Sequence, residues 1–174
     1  LDDKMIIEAC AKAANNEVVS AVNFNSPGQV VIAGHKAAVE RAGILCKEAG
    51  AKRVLPLPVS VPSHCALMKD AAEKLAEEFN NVTFNVPTIP VVNNVDVAAE
   101  SSVEAIKEAL IKQLYSPVRW TETIQYLAQQ GIDTAIEAGP GKVLQGLLKR
   151  IDKTISCQSV NDNTSLTKAL ESVE

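Results

Sequence analysis

Aromatic side chains are scarce in this chain: three Phe, two Tyr and one Trp make up 3% of 174 residues. A core must therefore be built from Val, Ile, Leu and Ala, which suits helices packed on a sheet buried on both faces better than a β-sandwich. No apolar run approaches the roughly 18 residues of a membrane span, so no membrane association is expected. Positive charge is not in excess, with 17 Lys and Arg against 21 Asp and Glu and a net charge of -4. Without clustered Lys and Arg to neutralise phosphates, a nucleic-acid partner is disfavoured. Cys10, Cys46, Cys65 and Cys157 show no C-x-x-C or Cys/His metal spacing. No metal site is expected, and they read as small buried hydrophobes in a reducing cytosol. An initiator Met and a signal peptide are missing too; the chain begins Leu1-Asp2-Asp3-Lys4, which fits a piece of a longer protein.

What is present is an alternation of helix-like and strand-like segments. Residues 3–14 carry Ile6, Ile7, Cys10, Ala13 and Ala14 at helical spacing. Residues 17–24 are rich in β-branched types, 25–28 (NSPG) form a turn, and 29–33 form a second strand, together a hairpin. Residues 36–49 return to helix, with Gly50 as the stop, and 52–57 read as a third strand. That α-β-β-α-β order is a ferredoxin-like unit without its first strand. Further on, helices are expected around Met68 to Phe79, from a Ser101/Glu104 capping box to Leu114, over 120–129, along Val143 to Ile151, and from about Ser165. Strands are expected at 86–95 (broken by Pro87 and Pro90), 134–137 and 154–160. The fold class is thus α/β: an incomplete ferredoxin-like subdomain over 1–57, and part of an α/β-hydrolase-like parallel-sheet subdomain over 58–174. Expressed alone, these residues are expected to fold poorly, because the first strand of the small unit and most of the central sheet would be missing.

The chemistry-bearing feature is His64, one of two histidines, in Val61-Pro62-Ser63-His64-Cys65 between an expected strand and a helix. An imidazole there can pass a proton both ways, as acyl transfer through a serine ester requires. The competing reading is a loop histidine satisfied by backbone. No G-x-S-x-G elbow occurs, so the chain carries a base and no nucleophile of its own. Cys65 cannot serve, since adjacent side chains diverge, and His35 reads as a surface residue. Gly139-Pro140-Gly141-Lys142 fails as a P-loop, having Ile136 where Gly is needed and Val143 where Ser or Thr is needed; a tight turn is favoured over an anion site. Asn23 and Asn25, at a strand end, either cap the turn or hydrogen-bond a bound acyl group or pantetheine arm.

Five segments taken together are specific: Asn23 to Gly34 (NFNSPGQVVIAG), Leu55 to Met68 (LPLPVSVPSHCALM), Pro90 to Asp96 (PVVNNVD), Gln113 to Trp120 (QLYSPVRW) and Glu137 to Leu144 (EAGPGKVL). They resemble the bacterial malonyl-CoA:acyl carrier protein transacylases of fatty-acid synthesis, over the C-terminal part of such a protein. The resemblance implies ping-pong transfer of malonyl from coenzyme A to the phosphopantetheine thiol of acyl carrier protein. It implies His64 as general acid/base and Gln113 as the residue whose main-chain carbonyl orients it. It also implies Asn23 and Ser63 as substrate-binding, and no cofactor beyond the thioester substrates. A cytoplasmic location and a monomer when complete are implied as well. The family's elbow serine, oxyanion-hole glutamine and carboxylate-clamping arginine match no residue here; Arg41, Arg53, Arg119 and Arg150 stand elsewhere. Ser63 before His64 departs from the Phe that marks malonyl selectivity in related polyketide-synthase domains, although the stand-alone transacylases also carry Ser. Two further functions are weighed. One is a non-catalytic module binding the acidic carrier protein through Lys52, Arg53, Lys142, Lys149 and Arg150. The other is a serine thioesterase on the same scaffold, with water as acceptor.

Overall fold

The computed structural model describes residues 1–172. It is a mixed α/β structure whose chain divides into two compact units, Leu1–Trp120 and Thr121–Glu174. The chain's own contacts therefore do not divide at 57/58. The last two residues of the expected 58–174 domain lie outside the described residues.

In the first unit, α1 (Asp3–Ala13) begins at Asp2, whose side chain accepts from the Lys4 N–H at 2.8 Å. It packs with α2 (Lys36–Glu48) against a hairpin of β1 (Val19–Ser26) and β2 (Gln29–Gly34). Ile6, Ala9, Cys10, Ala13, Val19, Ala38, Ala42 and Cys46 form the core, and the alanines let the two helices approach closely. Arg41 closes the end of α1: its guanidinium donates to the Ala13 and Ala14 carbonyls at 2.7–3.1 Å and pairs with Glu17 at 2.8 Å. Carbonyls that no helical N–H can reach are thereby satisfied. β1 runs two residues further than expected, to Ser26, so the turn is only Pro27-Gly28, and Gly28 takes a φ of 75°. Gly34 is fixed by proximity, since a Cβ there would stand 2.0 Å from the Val18 oxygen.

The expected strand at 52–57 is absent; that stretch is irregular and exposes Val54, Leu55 and Leu57. In a ferredoxin-like unit its ladder neighbour would be the first strand, which is not among these residues, and unpaired backbone does not make a strand alone. The strand expected at 86–95 reduces to a single antiparallel bridge, Val92 to Ala99, because Pro87 and Pro90 cannot donate to a ladder.

A 3₁₀ turn at Ala66–Met68 leads into α3 (Lys69–Glu78), which packs on α4 (Val103–Gln113) around Ala72 and Ala109. The cap of α4 is Ser102 rather than Ser101: its hydroxyl accepts from Ala105 N at 3.2 Å, which leaves Glu104 in the first turn beside the helix's positive end. Phe84 stands edge-on to Phe79 at 4.9 Å, with the Lys107 ammonium 5.0 Å above its ring.

The second unit comprises α5 (Trp120–Gln129) from its second residue on, β3 (Thr134–Ala138), α6 (Val143–Ile151), β4 (Ser156–Val160) and α7 (Asn163–Glu171). β3 and β4 pair in parallel from Thr134/Ser156 to Ala138/Val160, as a β-α-β crossover requires. The last helix starts two residues before the expected Ser165, because Asp162 and Ser165 form a reciprocal capping box. No helix among the described residues is long and apolar enough to cross a membrane.

Candidate functional site

His64 sits in the loop that ends at the 3₁₀ turn before α3, half-buried, with a φ of 65°. A left-handed backbone is uncommon for a residue with a Cβ and costs it about 1 kcal/mol. Two bonds to the end of α4 hold it there. Its main-chain N–H donates to the Leu114 carbonyl at 2.9 Å, and its Nδ1 lies 2.7 Å from the Gln113 carbonyl. Both acceptors belong to a helix terminus, where carbonyls lack helical partners. The expected pairing of imidazole and main-chain carbonyl is therefore a contact of this structure.

That contact decides the tautomer. A carbonyl oxygen only accepts, so Nδ1 carries the proton and Nε2 keeps its lone pair. The Gln113 side-chain nitrogen also stands 3.4 Å from Nδ1, but two donors cannot share a proton, and the amide donates instead to the Ser116 carbonyl at 3.2 Å. Next to the histidine, Ser63 is half-buried, its N–H donating to Val61 O at 2.9 Å, while Cys65 is buried with its thiol donating to the Pro62 carbonyl at 3.2 Å. Cys65 is thus packed beneath the loop.

Asn23 is reached through the same connecting segment. The β1–β2 register slips between Ala21 and Asn23, a bulge that turns Val22 fully inward. On its other edge β1 meets residues after α4: Val118 N donates to Val22 O at 2.8 Å, and Phe24 N donates to Val118 O at 2.9 Å. Residues 113–118 therefore grip the His64 loop at one end and the Asn23 strand at the other. Sequence reasoning quoted this segment but did not find that role, because bonds to main-chain atoms leave no residue-type signature.

The Glu137–Leu144 segment is a turn whose anion is internal. Glu137, buried at the end of β3, accepts from Leu144 N at 3.0 Å and Gln145 N at 2.8 Å, the first turn of α6, and from the Ser159 hydroxyl at 3.3 Å. Those bonds, the Gln145 amide foremost and the Leu144 amide next, hold its carboxyl below the usual range. The helix N-terminus is occupied by the protein's own carboxylate, so the tight-turn reading applies.

His35, expected as a bare surface residue, is exposed, yet its Nδ1 accepts from Val18 N at 2.9 Å and ties the hairpin to the start of α2. All four cysteines are free thiols, three of them buried. Among the described residues no group of three or more His, Cys, Asp or Glu is arranged to hold a metal ion. Lys52, Arg53, Lys142, Lys149 and Arg150 are exposed, the last two in the final turn of α6.

Comparison with known proteins adds one family match, one relative and two solved structures. The "Acyl transferase domain" family matches residues 3–168. The Malonyl CoA-acyl carrier protein transacylase of Escherichia coli K12 is 62% identical over 171 residues, 98% of this chain and 55% of that protein. Among solved structures, the acyl carrier protein S-malonyltransferase of Vibrio cholerae superposes with a TM-score of 0.96 at 65% identity, covering 97% of this chain and 55% of that one. A type II PKS acyl-carrier protein in complex with its malonyl-transacylase gives 0.97 at 60% identity, covering 99% and 56%. The chain spans about half the length of the relatives it matches.

Proposed function

Because the chain belongs to the acyl transferase domain family, we propose that the complete protein moves a malonyl group from malonyl-CoA to the phosphopantetheine thiol of acyl carrier protein. The setting is fatty-acid biosynthesis and the mechanism a ping-pong serine ester. The observation that carries this reading is the 2.7 Å contact between His64 Nδ1 and the Gln113 carbonyl, which leaves the Nε2 lone pair as the proton acceptor.

The nucleophilic serine lies outside these residues. In the first half-reaction Nε2 takes the serine proton as the hydroxyl oxygen attacks the thioester carbonyl; the C–S bond breaks, and the coenzyme A sulfur leaves with that proton. In the second, Nε2 takes the proton of the pantetheine thiol as its sulfur attacks the serine ester; the ester C–O bond breaks, and Nε2 returns the proton to the departing serine oxygen. The Gln113 carbonyl holds the ring in one tautomer throughout, a role separate from proton transfer itself. Asn23 and Ser63 serve substrate binding, and malonyl selection rests on groups outside these residues.

In the complete protein, residues 1–57 form the ferredoxin-like subdomain, whose first strand would pair with 52–57, and 58–174 form part of the α/β-hydrolase-like subdomain. The exposed apolar side chains at 54–61 support this, because they would be covered once that strand is present. Lys52, Arg53, Lys142, Lys149 and Arg150 are the candidate contacts for an acidic carrier protein. The protein works as a cytoplasmic monomer and needs no cofactor beyond its thioester substrates.

The test is a two-step transfer with the complete protein. Labelled malonyl-CoA alone should leave label on the protein as an ester, and added carrier protein should remove it as malonyl thioester. Label released mainly as free malonate with carrier protein present assigns a thioesterase instead. Carrier protein that binds without any ester forming assigns the non-catalytic module.

A further inference from the structure

The imidazole's acceptor is the last residue of α4, and the connection that continues from it to α5 has little regular structure of its own. Its position is set from outside, by the loop after Val92. Arg119 clamps two successive carbonyls of that loop: its main-chain N–H donates to Asn94 O at 3.2 Å, and its Nη1 donates to Val95 O at 3.1 Å.

Those carbonyls face Arg119 because Asn93 folds the loop around its own amide. Oδ1 accepts from Val95 N at 3.0 Å and Asp96 N at 2.8 Å; Nδ2 donates to Ala98 O at 2.9 Å and reaches Glu100 Oε1 at 3.3 Å. The turn is tight enough to force Val97 to a φ of 56°. That conformation is a genuine outlier for a β-branched residue and persists only where the surroundings over-determine it.

We propose that Asn93 and Arg119 are positioning residues for the His64 imidazole, acting through the main chain of residues 113–119. Asn93 orients the Asn94 and Val95 carbonyls, Arg119 is held by them, and Val118 beside it is fixed to β1. The Gln113 carbonyl, five residues earlier on the same stretch, then meets Nδ1 at hydrogen-bonding distance. Loosening the clamp lets that carbonyl drift, and the ring loses the single bond that selects its tautomer. A displacement on the order of 1 Å in a catalytic group is enough to lower turnover by up to about a hundredfold.

The inference deepens the acyl-transfer reading, on which its kinetic arm rests. The complete protein is compared with Asn93→Ala, Asn93→Asp, Arg119→Met and Arg119→Lys, reading kcat and KM for malonyl transfer and the His64 ring nitrogens by ¹⁵N NMR. Asn93→Ala and Arg119→Met should lower kcat about ten- to a hundredfold with KM unchanged. In the same variants the His64 proton should redistribute from Nδ1 towards Nε2. Asn93→Asp, which keeps the Oδ acceptor, and Arg119→Lys should recover part of both signals. Wild-type kcat in the variants, or a fall in kcat with the Nδ1–H signal unchanged, overturns the proposal. If Asn93→Ala and Arg119→Met do not fold, Asn93→Asp and Arg119→Lys decide by the same two readouts. If the unmodified protein transfers no malonyl group, the functional reading fails by itself, and the NMR arm still decides positioning.

Discussion

Replacing His64 in turn by Gly, Ala and Asn in the complete protein separates what the residue does for the reaction from what it does for the fold. The main-chain bond to Leu114 survives in all three, so the loop keeps one anchor. Each replacement removes the Nδ1–H bond to Gln113 O, a net loss of about 1 kcal/mol. Ala keeps the left-handed strain and should be less stable than wild type by about that amount. Gly relieves about 1 kcal/mol of strain. Its extra freedom when unfolded costs back about 0.5–1 kcal/mol, so the Gly protein should lie close to the Ala protein or above it. Asn tolerates the left-handed region better than Ala and should fall between the two. Activity should not follow that order at all. Losing a general acid/base removes about two to four powers of ten from transfer, which is about 3–5 kcal/mol of barrier. Chemical denaturation of each protein gives the first quantity, and the rate of malonyl transfer to carrier protein gives the second. A Gly protein that transfers within about tenfold of wild type refutes His64 as the proton carrier. A Gly protein clearly less stable than the Ala protein refutes the strain argument.

Glu137 is hydrogen-bonded as a carboxylate and titrates below its ordinary range, so its stabilisation is full above the usual carboxylate region and disappears as pH falls through the lowered folded value. Amide exchange at Leu144 and Gln145 should therefore accelerate on acidification, and Glu137→Gln should flatten that dependence; an unchanged profile removes Glu137 as its source. Burial, and secondarily the neighbouring Cys46, push the Cys10 thiol up to about 11. Its thiolate is then about a hundredfold scarcer at neutral pH than that of an ordinary cysteine, and alkylation read by mass spectrometry should find Cys10 protected until the protein unfolds. Val97→Gly should raise stability by up to about 1 kcal/mol in a denaturant titration, since it removes left-handed strain from a β-branched residue. A loss of stability would mean that packing of the Val97 side chain outweighs the strain.

Local features were legible wherever a side chain declares its own conformation. Period-3.6 apolar spacing located α1, α2 and α6, and Pro27-Gly28 marked the hairpin turn that Gly28's φ requires. The errors were of a different kind. Residues 52–57 have strand composition, but a strand is a relation between two segments, and its partner is not among these residues. The cap of α4 slid from Ser101 to Ser102 because either serine satisfies the same local rule, and only the backbone selects between them. The site divides along the same line. His64 could be chosen as a residue type with the right chemistry, whereas what fixes its ring is a carbonyl, and every residue has one. Gln113 was identified through resemblance; its side-chain type does not explain its place, since the oxygen that meets Nδ1 would be present with any residue at that position. What the sequence does encode there is indirect: an Asn whose amide can fold residues 93–98, and an Arg whose guanidinium can reach the Val95 carbonyl. Geometry imposed through main-chain atoms is therefore read from the side chains that organise the main chain, one step removed from the chemistry they serve.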